Sequence, residues 1–198
     1  RGYPVPVIVN NRKILGFGVP PQQLGIGASF RYKDWNASFL VEGKSGAQVF
    51  SGTNVRLIGY GLHQMTVPAG GRESGFVPDG VLEDGTPITQ SLDYTQQQNY
   101  WGRYNDVAEA GIYDSDYFRM RQMSVGYTFP KTMLEGTFIQ SASVSLIGKN
   151  LFFIHNSVPN VDPESAYNNS NSQGLEFAGM PVPTTCLLYT SPSPRDRG

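Results

Sequence analysis

The sequence predicts an all-β chain laid out as an antiparallel meander, and three observations carry that prediction. Apolar residues alternate with small or polar ones through four separate segments, which is the period of a strand. The connections between those segments are short, long, short and long in turn. No window of about 18 residues is apolar enough for a membrane-crossing helix, a test that says nothing about membrane strands.

The first strand is expected over 24–32, where Leu24, Ile26, Ala28, Phe30 and Tyr32 alternate with Gly25, Gly27, Ser29 and Arg31. Lys33-Asp34 punctuates, and Trp35, Ala37, Phe39 and Val41 resume the alternation over 35–43, with Leu40 the one misfit. Two strands joined by so short a link form a tight hairpin. A third strand is expected over 116–129, where Met123, Val125, Tyr127 and Phe129 keep one phase and Phe118 and Met120 the opposite one, so the faces swap near Gln122, as a bulge or a change of surroundings from lumen to rim would make them. The fourth, over 141–154, begins with Ser141, Ser143 and Ser145 against Ala142, Val144 and Leu146.

The long connections fall at about 44–115 and 155–181. Within the first, Val55, Ile58 and Leu62 share a helical face, weakened by Gly52, Gly59 and Gly61. The stretches 67–95 and 155–180 are dense in Gly, Pro, Asp, Asn and Ser and are expected to be exposed turns. Connections of such length are uncommon in soluble domains, whereas outer-membrane barrels pair short periplasmic turns with long outer loops. By parity, Lys33-Asp34 and 131–140 belong to the inner end.

Composition bounds the function. The chain of 198 residues carries 15 Lys and Arg against 16 Asp and Glu, a formal net charge of −1 with no basic block, which speaks against nucleic-acid binding. The single cysteine, Cys186, excludes an internal disulfide framework and any multi-Cys zinc site. Gly16-Phe17-Gly18 and Gly25-Ile26-Gly27 lack the full phosphate-binding pattern, and Gly43-Lys44-Ser45-Gly46 falls short of a nucleophile elbow. His63 and His155 stand far apart without ligand-spaced partners. Asp79, Glu83, Asp84, Asp162 and Glu164 read as turn residues rather than as a hydrolase pair or a calcium loop. No catalytic residue, metal site or cofactor is expected.

One face of each alternating strand is apolar and the other small or hydroxylic. That pattern fits a lipid face with a wet lumen, and equally a sandwich core with a solvated face. Tyr32 and Trp35 flank the tight turn and Tyr127 and Phe129 precede Pro130, as the aromatic belt at a membrane interface would. A soluble sandwich pairs aromatics across strands too.

Several segments, taken together and in order, carry a family resemblance. They are Tyr113-Asp114, Phe118 to Pro130 (FRMRQMSVGYTFP), Val144 to Phe152 (VSLIGKNLF) and Val158 to Glu164 (VPNVDPE). Ser51-Gly52-Thr53-Asn54, Tyr60 to His63 and Asp79 to Pro87 add to them. The chain resembles the C-terminal part of SusC/RagA-type TonB-dependent outer-membrane transporters, over about 16–185. The resemblance implies part of a large transmembrane β-barrel of about twenty-two strands with long extracellular loops. It further implies an outer membrane of a Gram-negative, Bacteroidota-like bacterium and import of a glycan or peptide cargo. A SusD-like lipoprotein would serve as partner, and a TonB complex would act through an N-terminal region that lies outside this sequence. A secreted carbohydrate-binding β-sandwich is the alternative.

After Thr185 the sequence departs from the family. Residues 186–198 place Pro192 and Pro194 where a last strand needs ladder donors, and the tail resembles translated sequencing-adaptor sequence. The candidate contacts for ligand or partner are the loop aromatics Tyr60, Tyr94, Tyr100, Trp101, Tyr104 and Tyr167 with Arg103. Tyr113 and the amides Gln96 to Gln98, Asn99 and Asn105 are interleaved with them, and flat amphipathic rings beside amides suit sugars or a protein partner.

Overall fold

A computed structural model describes residues 13–82, 84–166, 172–177 and 183–194. Its strands are, in chain order, β1 (Gln22–Tyr32), β2 (Trp35–Ser45), β3 (Gln48–Ser51), β4 (Ile112–Asp114), β5 (Tyr117–Thr128), β6 (Ile139–Asn156), β7 (Leu175–Glu176) and β8 (Thr185–Pro194). The helices are α1 (Gly52–Gly59), α2 (Tyr94–Gly102) and α3 (Lys131–Leu134). The chain divides into two compact units, one built on the long strands and the other on the long connections.

The strand unit is a five-stranded sheet in the order β1-β2-β5-β6-β8, with every neighbouring pair antiparallel. Strands expected at 24–32, 35–43, 116–129 and 141–154 are β1, β2, β5 and β6, shifted by no more than two residues at each boundary. Both short connections leave one end of the sheet: Tyr32 pairs with Trp35, Trp35 with Tyr127, and Tyr127 with Val144. Lys33 makes the tight turn at φ 52°. The connections 46–116 and 157–184 leave the opposite end.

Register decides which residues share a face, and it sorts them by chemistry. Ile26 pairs with Val41, Phe30 with Ala37, Ala37 with Val125, and Val125 with Leu146, which in turn pairs with Leu188. Across all five strands that face is apolar, yet nothing among the described residues covers it: Leu24, Ile26, Phe30, Val125, Leu146 and Leu188 are between 44% and 69% exposed. An apolar sheet face of this extent is stable against lipid and costly against water. The other face carries Ser29, Ser38, Ser124 and Ser145, with the Ser38 and Ser124 hydroxyls 2.7 Å apart. Gly126 belongs to it, where a Cβ would lie 2.5 Å from Asn36 Oδ1 and 2.7 Å from Ser145 Oγ.

The phase swap in the third strand is a bulge. β5 slips against β2 between Leu40 and Val41 and against β6 between Met120 and Gln122, leaving Arg121 as the extra residue. Three side chains hold it. Arg121 Nε donates to Glu42 Oε2 at 2.9 Å and Arg121 Nη1 to Asn150 Oδ1 at 2.8 Å, while Asn150 itself adopts φ 52°. Leu40, the misfit of β2, sits at the slip on the polar face.

Residues 185–194 pair with β6 as β8, although Pro192 and Pro194 stand where a last strand needs ladder donors. The physical reason lies in position. β8 is the edge strand of the described sheet, and an edge is where a strand tolerates proline.

The connection unit holds a three-stranded sheet in the order β4-β3-β7, where β3 runs antiparallel to β4 and parallel to β7. One core forms around Val49, Val158 and Ala166 with Tyr113 and Val161 packed against it, and burial raises the Tyr113 hydroxyl above its usual range. A second forms around Ile58, Leu92, Tyr100 and Trp101. The stretch 155–180, expected as exposed turns, therefore contributes core: Val158 is 2% and Ala166 1% exposed. Its two segments meet residues far away in sequence, which composition cannot reveal.

Candidate functional site

The site is built on α1 and α2. Ser51 caps α1, its Oγ accepting from Asn54 N at 3.1 Å, and Val55 and Ile58 face inward. The helix ends in a Schellman turn: Leu62 N donates to Leu57 O at 2.7 Å and Gly61 N to Ile58 O at 2.8 Å, with Gly61 at φ 71°. Leu62, expected on the helical face, lies beyond this turn and is exposed. The turn presents Tyr60 outward.

α2 begins at a capping box in which Asp93 N donates to Gln96 Oε1 at 2.9 Å and Gln96 N to Asp93 Oδ1 at 2.8 Å. Tyr94, in its first turn, is exposed, whereas Tyr100 and Trp101 at the far end are buried. Their rings stand 4.9 Å apart edge to face, and Phe76 lies 5.3 Å from Tyr100 and 5.1 Å from Trp101. Tyr104 joins the stack, its hydroxyl 3.2 Å from that of Tyr100. Desolvation, and then the Tyr104 hydroxyl, hold the Tyr100 phenol neutral well above its ordinary range. Tyr100 and Tyr104 thus pack the unit against itself.

Between the end of α1 and the face of α2 opens a cleft of about 440 Å³. Tyr60, Tyr94 and an edge of the Trp101 ring line it with the Gln97 and Gln98 amides, and Arg72, Glu73 and Thr66 close the opposite side. Its size and its mixture of rings with convergent polar groups are those of a small-ligand site. Of the expected contacts, Tyr60, Tyr94 and Trp101 come together here. Tyr104 is half-buried in the aromatic stack, Arg103 is exposed on the short turn after α2, and Tyr167 lies outside the described residues. Arg72 and Glu73 were not singled out by sequence, since isolated charges in a glycine-rich stretch read as turn residues.

The residue that fastens this region is Glu176, 1% exposed. Its carboxylate accepts from Ser51 Oγ and Thr53 Oγ1, each at 2.6 Å, and from Thr53 N at 3.4 Å. Alongside, Asn54 Nδ2 donates to Pro159 O at 2.8 Å, and Asn160 Nδ2 to Asn54 Oδ1 at 2.9 Å. The Ser51 to Asn54 and Val158 to Glu164 segments, far apart in the chain, are therefore neighbours. Local pattern held no signal for Glu176.

Asp84, Asp162 and His63 bond to backbone amides two residues on, and His155 lies within β6. Asp84 Oδ1 accepts from Thr86 Oγ1 at 2.7 Å and Thr86 N at 3.0 Å, bonds that hold its carboxyl below the usual range. Asp162 Oδ1 accepts from Glu164 N at 2.9 Å. Glu83 lies outside the described residues. His63 Nδ1 accepts from Met65 N at 3.1 Å, and burial lowers its pKa. His155 lies 3.1 Å from the Ser157 hydroxyl. At the tight-turn end of the sheet, the Trp35 and Tyr127 rings are 4.8 Å apart and Tyr127 and Phe129 are 5.2 Å apart, with Tyr32 beside Trp35 across the hairpin.

A meander with one bare apolar face, one polar face, and short and long connections in alternation has the pattern of an outer-membrane β-barrel wall. Comparison with known proteins places it more closely. No family model matches the chain. A TonB-dependent receptor P3 from Formosa agariphila is 24% identical over 177 residues, covering 86% of this chain and 16% of that protein. Solved structures of the RagAB peptide transporter share the fold at 14% identity and TM-score 0.50, covering 87% of this chain and 17% of theirs. The closed-closed state of the RagAB peptide importer gives 15% identity and TM-score 0.54, covering 90% and 17%. The chain is similar in fold to a segment of these proteins, and it spans about a sixth of their length. They are named for reception and for transport.

Proposed function

We propose that the chain contributes wall strands and outer loops to a TonB-dependent importer in the outer membrane of a Bacteroidota-type bacterium. The importer takes an oligomeric nutrient, a glycan or a peptide, and works with a SusD-like lipoprotein over the loops and a TonB complex reached through the rest of the protein. Tyr32, Trp35, Tyr127 and Phe129 mark the periplasmic interface. Transport proceeds without chemistry on the cargo. The observation that carries this reading is the five-stranded sheet with an apolar face, from Leu24, Ile26 and Phe30 through Val125 and Leu146 to Leu188, that no described residue covers. A β-sandwich would spend that face on a second sheet. The cleft walled by Tyr60, Tyr94 and Trp101 supports cargo contact in the loops, because rings offer flat apolar area and Gln97 and Gln98 supply donors and acceptors at fixed spacing.

In the full-length transporter, Tyr94→Ala is expected to weaken cargo binding about fivefold, the loss of one ring contact worth ~1 kcal/mol. The exposed Tyr94 leaves folding untouched. Titration calorimetry of the purified protein with its growth substrate measures this, and unchanged affinity removes the cleft from the cargo path.

A further inference from the structure

The cleft between α1 and α2 has two unlike walls. One is made of rings and amides: Tyr60 and Tyr94 are exposed, Trp101 shows an edge, and Gln98 stands beside Gln97, whose Nε2 donates to Leu92 O at 3.0 Å. The other is a strap, residues 71–75, that brings Arg72 and Glu73 into the lining. Gly71 at φ 86° and Gly75 at φ 78° bound the strap in a conformation that favours glycine. Its hydrogen bonds are short-range, Gly71 N donating to Pro68 O at 2.9 Å and Ser74 Oγ to Gly71 O at 2.7 Å. Phe76 fastens the far end, its ring 5.1 Å from that of Trp101.

The two charges of the strap are opposite and unpaired. Arg72 and Glu73 are exposed, and neither makes a hydrogen bond or an ion pair among the described residues. They are neighbours in a 3-10 turn, where successive side chains project about 120° apart, so they do not face each other. A Cβ on Gly61 would lie 3.6 Å from Arg72 Nη1, which sets the guanidinium against the turn that ends α1. A neutral ligand filling the cleft would strip water from both charges and return no partner, and a singly charged one would leave one of them bare. A ligand with one ammonium and one carboxylate satisfies both. At about 440 Å³ the cleft holds roughly fifteen water-sized groups of ~30 Å³ each, the size of a tripeptide.

We infer that Arg72 and Glu73 make this cleft a site for a short peptide with both ends free. The guanidinium takes the terminal carboxylate, the Glu73 carboxylate takes the ammonium, and the rings pack against the chain between them. Gln97 and Gln98 match a peptide backbone, which offers a donor and an acceptor at each residue. The inference rests on the importer reading and narrows its cargo to peptide.

Titration calorimetry of the purified full-length transporter tests it with four probes: trialanine, N-acetyl-trialanine, trialanine amide and maltotriose. Trialanine is expected to bind at least tenfold more tightly than each of the others. Arg72→Gln should cut the preference over the amide at least threefold and keep the preference over the acetylated form, and Glu73→Gln should do the converse. Both residues are exposed, so neither variant disturbs folding. Preferences that survive in both variants, or that fall together in each, overturn the roles of Arg72 and Glu73. Equal binding of trialanine and its blocked forms, or tighter binding of maltotriose, overturns the peptide site and leaves the importer reading standing. Binding of none of the four overturns the site as well. The importer reading falls separately, if deletion of the gene leaves growth on every peptide and glycan source unchanged.

Discussion

Val125→Arg in the full-length barrel is expected to abolish outer-membrane assembly, at a cost of about 2–4 kcal/mol for a cation facing lipid near mid-membrane. Val125 lies mid-strand in β5, 44% exposed, with Ala37 and Leu146 beside it in register, so no polar group on its face is positioned to receive a guanidinium. The neighbouring substitution separates membrane effects from strand effects. Ser124→Arg forfeits the 2.7 Å bond to Ser38, worth ~1 kcal/mol, but delivers its charge to water on the inner face. Heat-modifiable migration of the membrane fraction should show folded barrel for Ser124→Arg and little or none for Val125→Arg. Equal yields of the two would remove the assignment of faces.

Glu176→Ala is expected to loosen the connection unit by about 3 kcal/mol while the barrel still assembles. Its loss leaves the hydroxyls of Ser51 and Thr53 with their 2.6 Å acceptor gone, and Ser51 is fully buried. Each buried donor so stranded costs about 1–3 kcal/mol. Glu176→Gln keeps the shape and one acceptor oxygen and should recover part of the loss. Hydrogen exchange of the full-length protein reads this as faster exchange across 49–59 and 158–166, with 117–128 unchanged. Protection unchanged in the alanine variant would show that the loops hold together without Glu176.

The legible parts of this fold are those written in local period. The alternation of β1, β2, β5 and the first half of β6 placed each strand closely, and the swap of phase at Gln122 announced the bulge that the structure centres on Arg121. What periodicity left open was whether the apolar face meets lipid or another sheet, and only register across five strands, with exposure, answers that. β3, β4 and β7 are too short to show a period and pair across long separations, as Phe50 does with Leu175. The capping box at Asp93 and Gln96 was present in the sequence, yet α2 has so mixed a face that the box read as loop polarity. The aromatic run from Tyr100 to Tyr104 illustrates the remaining gap. Composition shows that rings cluster, but whether they face a ligand or one another depends on Ile58, Leu92 and Phe76, brought from elsewhere in the chain. So Tyr60 and Tyr94 kept their exposure, and Tyr100 went to the core.

The central claim, that β5 is a membrane stave with lipid on one side and water on the other, is tested most directly by single cysteines at 118 to 127. They are placed in the full-length protein after Cys186 is replaced by serine. The account predicts labelling by a water-soluble maleimide at 122, 124 and 126 and protection at 123, 125 and 127, with the phase inverting across Arg121 so that 118 and 120 are protected and 119 reacts. Uniform labelling along the strand, or an alternation that continues through 121 without inversion, would contradict it.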